Sequence, residues 1–175
     1  MALAAQVKAN KQQVKKPRIR LRELQAGDLG WVIEQHARIY AVEYGFDWTF
    51  EALVARICAD FVKYYKPEWE RCWIAEQGGQ RVGSVFVVRK TATTAQLRML
   101  ILTPEARGQG LGARLTDEAI AFARSKGYKK IVLWTNACLL AARGIYAARG
   151  FQMTASTAYE GFGTPQVSET WALKL

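Results

Sequence analysis

The sequence predicts an α/β (α+β) domain built on one mixed, mostly antiparallel, twisted sheet with helices on both faces. Several short runs alternate apolar and polar residues, which is typical of half-buried strands, and two longer segments repeat apolar residues at helical spacing. A central strand–helix–strand unit requires a right-handed crossover and a parallel pair. The chain has 175 residues, half of them hydrophobic, which suits a single domain with a sizeable core.

The first half of the chain predicts a strand, two helices and an antiparallel meander. Residues 18–24 form the strand, and the helix after it takes Asp28 as its cap and Gly45 as its end. A second helix begins near Asp47 and is closed by Pro67. The meander then has strands at 70–77, 81–88 and 94–102, with a glycine pair at 78–79 that indicates a hairpin.

The second half returns to helices before two closing strands. The predicted elements are a helix at 110–126, a strand at 129–135, a helix at 139–150, and strands at 151–159 and 166–175. The crossover makes the strands at 97–103 and 130–136 parallel. The predicted order is therefore β-α-α-β-β-β-α-β-α-β-β.

The positive charge is concentrated at the start of the chain. The net charge is +10, and seven lysines and arginines precede the first acidic residue, Glu23. We interpret residues 1–16 as a basic flexible tail and 17–175 as the folded domain. The excess charge is therefore weak evidence for a nucleic-acid-binding domain, and we do not expect nucleic acid as a partner, except through the basic tail.

Compartment and metal content follow from what the sequence lacks. Its apolar runs are shorter than the roughly 18 residues that span a membrane, and the N-terminus has no apolar secretory core. Cys58, Cys72 and Cys138 are far apart and His36 is the single histidine, which disfavours a disulfide framework or a metal site. We expect a cytoplasmic protein with no metal and no membrane partner.

The stretch "LTPEARGQGLGARL" at 102–115 points to an anion site. Glycine in a helix costs roughly 0.5–1 kcal/mol relative to alanine, so Gly108, Gly110 and Gly112 at a helix start indicate a need for bare backbone. Unpaired N–H groups at a helix start bind phosphate, and Arg107 and Arg114 add cationic donors. The spacing matches neither the P-loop nor the dinucleotide fingerprint.

This stretch resembles the coenzyme A binding motif of the GNAT superfamily of N-acetyltransferases. Its Arg/Gln-x-x-Gly-x-Gly/Ala pattern matches Arg107, Gly110 and Gly112. The later segment "KKIVLWTNACLLAARGIYAARGF" is similar to the family's next strand and helix, and the resemblance covers about residues 18–175. The segment "RIYAVEYGFDWTFEALVARICADF" further resembles GNAT domains fused to MarR-type regulators. The expected architecture is thus the GNAT acyl-CoA N-acyltransferase fold.

The resemblance implies acetyl-CoA as cosubstrate and assigns its contacts. Backbone groups of the motif strand would hold the pantetheine arm, and the glycine loop would hold the diphosphate. The residues assigned in this way are Leu100, Ile101, Leu102, Arg107, Gly108, Gln109, Gly110, Leu111 and Gly112.

The resemblance also assigns Tyr146 as the acid that protonates the departing thiolate, because a phenol has a higher pKa than a thiol. The base stays open. Gln96 lies near the place where many family members carry a glutamate, so Glu43, Glu169, a water chain and bulk solvent are alternatives. Leu139 stands where the family often has an asparagine, and Asn136 lies three residues earlier.

The acceptor pocket of the family lies between the early helices and the separating strands. Tyr40, Glu43 and Tyr44 are the predicted substrate-binding residues, with Phe46 and Trp48 nearby, because a carboxylate beside aromatic rings can hold a cationic amine. His36 shares a helix face with apolar residues and is interpreted as a core histidine.

The predicted function is transfer of an acetyl group from acetyl-CoA to a primary amine of a small molecule or a protein lysine, by direct attack in a ternary complex. One alternative is a non-catalytic acyl-CoA-binding sensor, and another is a nucleic-acid-associated protein that uses the basic tail. The acceptor and the length of the acyl group are left open. The assembly state is also open, and a homodimer is compatible with the sequence.

Overall fold

The computed structural model describes residues 17–175, and the predicted basic tail at 1–16 lies outside the described residues. The order of helices and strands confirms the predicted order. In sequence the elements are β1 (Arg20–Arg22), α1 (Asp28–Tyr44), α2 (Trp48–Tyr64), β2 (Arg71–Gln77), β3 (Gln80–Arg89), β4 (Thr94–Leu102), a 3₁₀ turn (Pro104–Ala106), α3 (Leu111–Ser125), β5 (Lys130–Asn136), α4 (Leu140–Ala147), β6 (Gln152–Gly161) and β7 (Thr164–Lys174).

The strands form one seven-stranded sheet with the order β1-β2-β3-β4-β5-β7-β6. Its neighbours pair antiparallel except β4 and β5, which confirms the predicted parallel crossover. These two strands pair only from Thr94 opposite Lys130 to Leu97 opposite Leu133. Beyond that point β4 stays paired with β3 as far as Leu102, and β5 stays paired with β7 as far as Asn136. The two central strands therefore separate and leave a gap in the sheet.

Both faces of the sheet are covered by helices, as predicted. In β3, Val85 and Val87 pack into the core that includes Leu115 of α3, whereas Phe86 packs into the core that includes Val54 of α2. All three β3 side chains have 0% exposure, because a strand with helices on both sides buries successive residues in opposite directions. No helix within residues 17–175 is long and apolar enough to cross a membrane.

A β-bulge interrupts β4 where it begins to separate from β5. Arg98 pairs with Phe86 and Ile101 pairs with Ser84, so two residues of β4, Met99 and Leu100, lie opposite a single residue of β3. Met99 has a φ of 52°, which is uncommon for a residue with a side chain. Its carbonyl accepts a hydrogen bond of 2.9 Å from Ser84 Oγ, which supports the bulge.

The prediction that Asp28 caps α1 is wrong. The cap is Gly27, with a φ of 89° and no side-chain hydrogen bond to the helix. Asp28 is instead the first helical residue and is 1% exposed. Its carboxylate accepts from the Gln25 N–H and from Arg22 at 2.6 Å each, because the arginine of β1 offers a stronger, charged partner than the helix end does.

The other two helix boundaries are confirmed. Gly45 ends α1 with a φ of 70°, and its N–H bonds to the Ala41 carbonyl at 3.1 Å. Asp47 caps α2 by accepting a 2.9 Å hydrogen bond from the Thr49 N–H.

Candidate active site

The loop between β4 and α3 carries a run of unpaired main-chain N–H groups. Within residues 17–175, no N–H from Gly108 to Ala113 donates to a carbonyl or side chain, and the first helical bond runs from Arg114 N to Gly110 O at 3.0 Å. Gly108 and Gly110 have φ of 71° and 75°, and a Cβ at either would meet no atom within 4 Å. The loop therefore presents exposed donors at the positive end of a helix, which is the geometry of an anion site.

At Gly112 a glycine is needed for close packing rather than for an exposed N–H group. A Cβ on this residue would lie 2.7 Å from Ile145 Cδ1 and 3.6 Å from Leu102 Cδ1. The glycine therefore allows α4 to pack closely on the first turn of α3.

A cavity of about 300 Å³ lies beside this loop. It brings together most of the predicted site residues, from both the donor and the acceptor sets. Its predicted members are Tyr40, Glu43, Tyr44, Leu100, Ile101, Leu102, Arg107, Gly108, Gly110, Leu111 and Gly112. Leu139 also lines it. The sequence did not anticipate that the two predicted sets would share one cavity.

The side chains of Gln109 and of Arg114, a predicted cationic donor, are engaged elsewhere. Gln109 donates to the Glu105 carbonyl at 2.9 Å and accepts from Gln77, so its side chain does not line the cavity. Arg114 donates to the Ile19 carbonyl at 2.9 Å. Gln109 can therefore contribute its main-chain N–H, but not its side chain, to anion binding.

Glu43 and Arg107 form an ion pair across the cavity. The distance from Glu43 Oε1 to Arg107 Nη1 is 2.7 Å, and it joins α1 to the glycine loop. Both groups remain partly exposed, so a competing anion can reach Arg107. Of the nearby aromatic residues, Phe46 is 3% exposed in the core and Trp48 is 78% exposed at the start of α2.

Tyr146 lies on α4 with 5% exposure, and its ring packs on Phe151 with centroids 5.7 Å apart. Its hydroxyl makes no hydrogen bond to any residue in the described part of the chain. Burial raises the pKa of Tyr146 well above its usual value of 10.0, so the phenol keeps its proton at neutral pH. Burial likewise raises the pKa of Tyr40, to which the charges of Tyr146 and Tyr44 add.

Two of the candidate bases are already paired. Glu169 is 4% exposed and accepts from Trp171 Nε1 at 2.8 Å and from Arg143 Nε at 3.0 Å. Glu43 is held by Arg107. Asn136 is 1% exposed, and its Oδ1 accepts a 3.0 Å hydrogen bond from the Tyr159 hydroxyl.

His36 is a core residue, as we interpret it from the sequence. It is 2% exposed, and its Nδ1 donates to the Val32 carbonyl at 2.8 Å. Burial lowers the pKa of His36 to about 4, so the ring is neutral at pH 7. The three cysteines are free, and no group of three or more metal-ligating side chains occurs in the described residues.

A second cavity of about 350 Å³ lies between α2 and the gap in the sheet. Met99 lines this cavity and the next residue, Leu100, lines the first, so the bulge lies between the two cavities. Gln96, Arg98 and Trp134 also line it. The sequence carries one signal for this site that was missed: Arg98 is the one charged residue of β4.

The glycine loop at the start of α3 thus lies beside the point where β4 and β5 separate. The sequence model of the acetyltransferase (GNAT) family matches residues 33–151, and the chain belongs to this family. The sheet of seven strands with four helices is the GNAT fold.

Curated relatives are also N-acetyltransferases. Human N-acetyltransferase 8B is 35% identical over 102 residues, which are 55% of this chain and 45% of the relative. Rat N-acetyltransferase family 8 member 3 is 34% identical over 110 residues, which are 58% of this chain and 47% of the relative. The chain spans about half the length of these curated relatives.

Solved structures share the fold at low sequence identity. Spermidine N-acetyltransferase from Vibrio cholerae, in complex with CoA and spermine, has a TM-score of 0.69 and 21% identity, with 89% of this chain and 95% of that chain covered. An acetyltransferase from Salmonella typhimurium with its cofactor acetyl-CoA has a TM-score of 0.72 and 19% identity, with 90% of this chain and 94% of that chain covered.

Proposed function

We propose that this GNAT family member transfers the acetyl group of acetyl-CoA to a primary amine of a small molecule or protein, by direct attack in a ternary complex. One observation carries the proposal: within residues 17–175 the N–H groups from Gly108 to Ala113 are unpaired, and five of these six residues line a cavity beside the point where β4 and β5 separate. Such a run of donors at a helix start fits a diphosphate.

The donor site would use main-chain groups more than side chains. The N–H groups of the loop would bind the diphosphate, and Arg107 would leave Glu43 to contact it. On the side that faces β5, β4 has no strand partner beyond Leu97, so main-chain groups of Leu100–Leu102 are free to bind the amides of a pantetheine arm. When bound, acetyl-CoA supplies an activated acyl thioester.

Acyl transfer forms a C–N bond, breaks a C–S bond and moves two protons. Tyr146 would give its phenolic proton to the departing sulfur, because its burial keeps the hydroxyl protonated and its oxygen has no competing hydrogen bond. Neither Glu43 nor Glu169 is free to act as the base, since each is held in an ion pair. We therefore assign removal of the amine proton to water, with Gln96 near its path. Holding amine and thioester together supplies much of the acceleration, about 7–11 kcal/mol for ideal positioning.

Substituting Gly110 by aspartate tests the donor site. The carboxylate would repel the diphosphate and crowd the loop, so acetyl-CoA should bind about 100-fold more weakly, equivalent to roughly 3 kcal/mol. Isothermal titration calorimetry gives the dissociation constant. Gly127→Asp is the matched control, because Gly127 has a φ of 76° and the same open surroundings but lies at the far end of α3. Equal affinity in a folded Gly110→Asp variant and in the control would refute the donor site.

Release of free thiol from acetyl-CoA with a panel of amines tests the reaction itself. An amine-dependent rate supports the enzyme. A second candidate is a non-catalytic acyl-CoA sensor. It is favoured because position 96 carries glutamine rather than glutamate and because, among the described residues, no unpaired carboxylate lines either cavity. Tight binding of acetyl-CoA with no thiol release from any amine would support that sensor.

A further inference from the structure

Arg98 carries a positive charge that no residue in the described part of the chain pairs with. It lies in the middle of β4, opposite Phe86, and is partly buried beneath α2. Arg22 and Arg143, which are also partly buried, each bond to a carboxylate at 3.0 Å or less. Burial lowers the pKa of Arg98, and the charge of Asp60 only partly opposes this. A partly desolvated cation without a partner favours an anionic ligand.

The cavity that Arg98 lines is positively charged and amphipathic. Its two charged residues are Arg98 and Lys90, and no acidic residue lines it. Phe50 and Val54 of α2 form an apolar wall, and Trp134 adds a large ring that is 44% exposed. A polycation would be repelled here, whereas a molecule with a carboxylate and an apolar part would match both features.

The same cavity lies at the expected point of acyl transfer. Met99 of the bulge lines it, and Leu100 lines the donor cavity. Tyr40 of the donor cavity and Phe50 of the second cavity stack with ring centroids 4.6 Å apart, so the two spaces are separated by this pair and the bulge. The volume of about 350 Å³ suits a small molecule.

We infer that the acceptor is a small amine that also carries a carboxylate, which Arg98 binds while the amine faces the bulge. This inference rests on the proposed function. It gives Arg98 the role of a specificity-determining residue in the acceptor cavity and leaves Glu43 on the donor side.

Matched pairs of acceptors test the inference. Each pair consists of an apolar amino acid and the amine that lacks its carboxylate, for example phenylalanine and phenethylamine. With wild-type protein, kcat/KM should be at least tenfold higher for the amino acid. In Arg98→Gln, the preference for the amino acid should fall at least tenfold because the KM for the amino acid rises. The kcat/KM for the plain amine should stay within about twofold of the wild-type value. Arg98→Lys should restore part of the preference, because it restores a charge without the planar fork.

Arg56→Gln is the control, since Arg56 is exposed on α2 and does not line the cavity. It should keep the wild-type preference. Equal rates within the wild-type pairs, a preference for the plain amines, or an equal loss for both acceptors in Arg98→Gln would overturn the inference. Acetyl-CoA affinity is measured separately on every variant. If the inference fails while the wild-type protein still binds acetyl-CoA and acetylates amines, the proposed function stands. If the wild-type protein does not bind acetyl-CoA, the proposed function is overturned as well.

Discussion

At the scale of single residues, Tyr146 allows the sharpest test of the proposed chemistry. Tyr146→Phe removes one oxygen from a side chain that makes no hydrogen bond within residues 17–175, so the fold should be little affected. If the phenol protonates the leaving thiolate, kcat should fall about 100-fold or more, in the range typical of a general acid. The KM and the dissociation constant for acetyl-CoA should change little, and steady-state kinetics with calorimetry measures both.

Tyr128→Phe provides the opposite case. Tyr128 is 3% exposed, and its hydroxyl donates to the Trp69 carbonyl at 3.0 Å. Loss of that bond should cost about 1 kcal/mol of stability and leave kcat unchanged. A Tyr146→Phe enzyme with wild-type kcat would remove the phenol from the mechanism.

Two residues show where local sequence patterns stop being informative. Asp28 stands where a cap is expected, yet its carboxylate is taken by Arg22, which lies at 2.6 Å, and by Arg81, at 3.3 Å, from a distant strand. Arg98 is the one charged residue of β4, whose apolar residues predict a buried strand. For Asp28 the outcome depends on charges that tertiary structure brings together, and for Arg98 on its partial burial without a partner among the described residues. Spacing along the chain encodes neither.

At the scale of elements, the sequence predicted the type and order of every helix and strand because hydrophobic periodicity and glycine turns are local signals. The hairpin between β2 and β3 follows from Gly78 and Gly79, whose φ values are 58° and 81°. The β4 bulge was not predicted, because its cause is the pairing offset with β3 and the hydrogen bond from Ser84. The gap that contains the candidate site depends on these non-local pairings.

The turn between β6 and β7 joins the two closing strands that the sequence predicted, but its contacts with the loop between α1 and α2 were not predicted. Phe162 and Gly163 have φ of 58° and 80°, an arrangement that a phenylalanine seldom adopts. The Phe162 ring packs against Phe46 at 5.1 Å and against Phe50 at 5.0 Å, and its carbonyl accepts from the Asp47 N–H at 3.0 Å. These contacts stabilise the turn and tie it to the loop between α1 and α2.

The packing of α4 on α3 gives a prediction at this scale. Gly112→Ala would place a Cβ 2.7 Å from Ile145 Cδ1, so this terminal methyl group must move and the free energy of unfolding should fall by about 1 kcal/mol. Gly144→Ala, in α4 itself, would meet nothing within 4 Å and should raise it by about 0.4–1 kcal/mol. Urea unfolding measures both variants. Equal effects of the two substitutions would contradict the packing role of Gly112.

At the scale of the whole molecule, both cavities lie beside the gap in the sheet between β4 and β5. The helices α3 and α4 cover one face and border the donor cavity, whereas α2 covers the other face and borders the cavity with Arg98. Because β4 and β5 part after Leu97, two ligands bound on opposite faces can meet without a channel through a continuous sheet. The proposed donor and the proposed acceptor would therefore occupy separate spaces on either side of the bulge.

The stability of the whole molecule should depend on pH through its single histidine. The folded protein holds His36 neutral with a pKa of about 4, whereas the unfolded chain takes up the proton below about 6.5. Acidification therefore stabilises the unfolded state, and the free energy of unfolding should fall by about 2 kcal/mol from pH 7 to pH 5. Asp28 does not contribute in this window. Burial raises its pKa, but the bonds from Arg22 and the Gln25 N–H outweigh this and lower it below 3.8, so its contribution is lost only at more acidic pH.

Urea unfolding of wild type and His36→Phe at pH 7, 6 and 5 isolates this effect. The variant lacks the imidazole that the wild type buries uncharged, so its unfolding free energy should change much less between pH 7 and pH 5, whatever its absolute value. His36→Leu gives the same comparison with a smaller side chain. A wild-type protein whose stability is unchanged between pH 7 and pH 5, or a variant that keeps the wild-type slope, would contradict the burial of a neutral imidazole between Tyr40 and Phe50, whose ring centroids lie 5.8 and 6.4 Å from it.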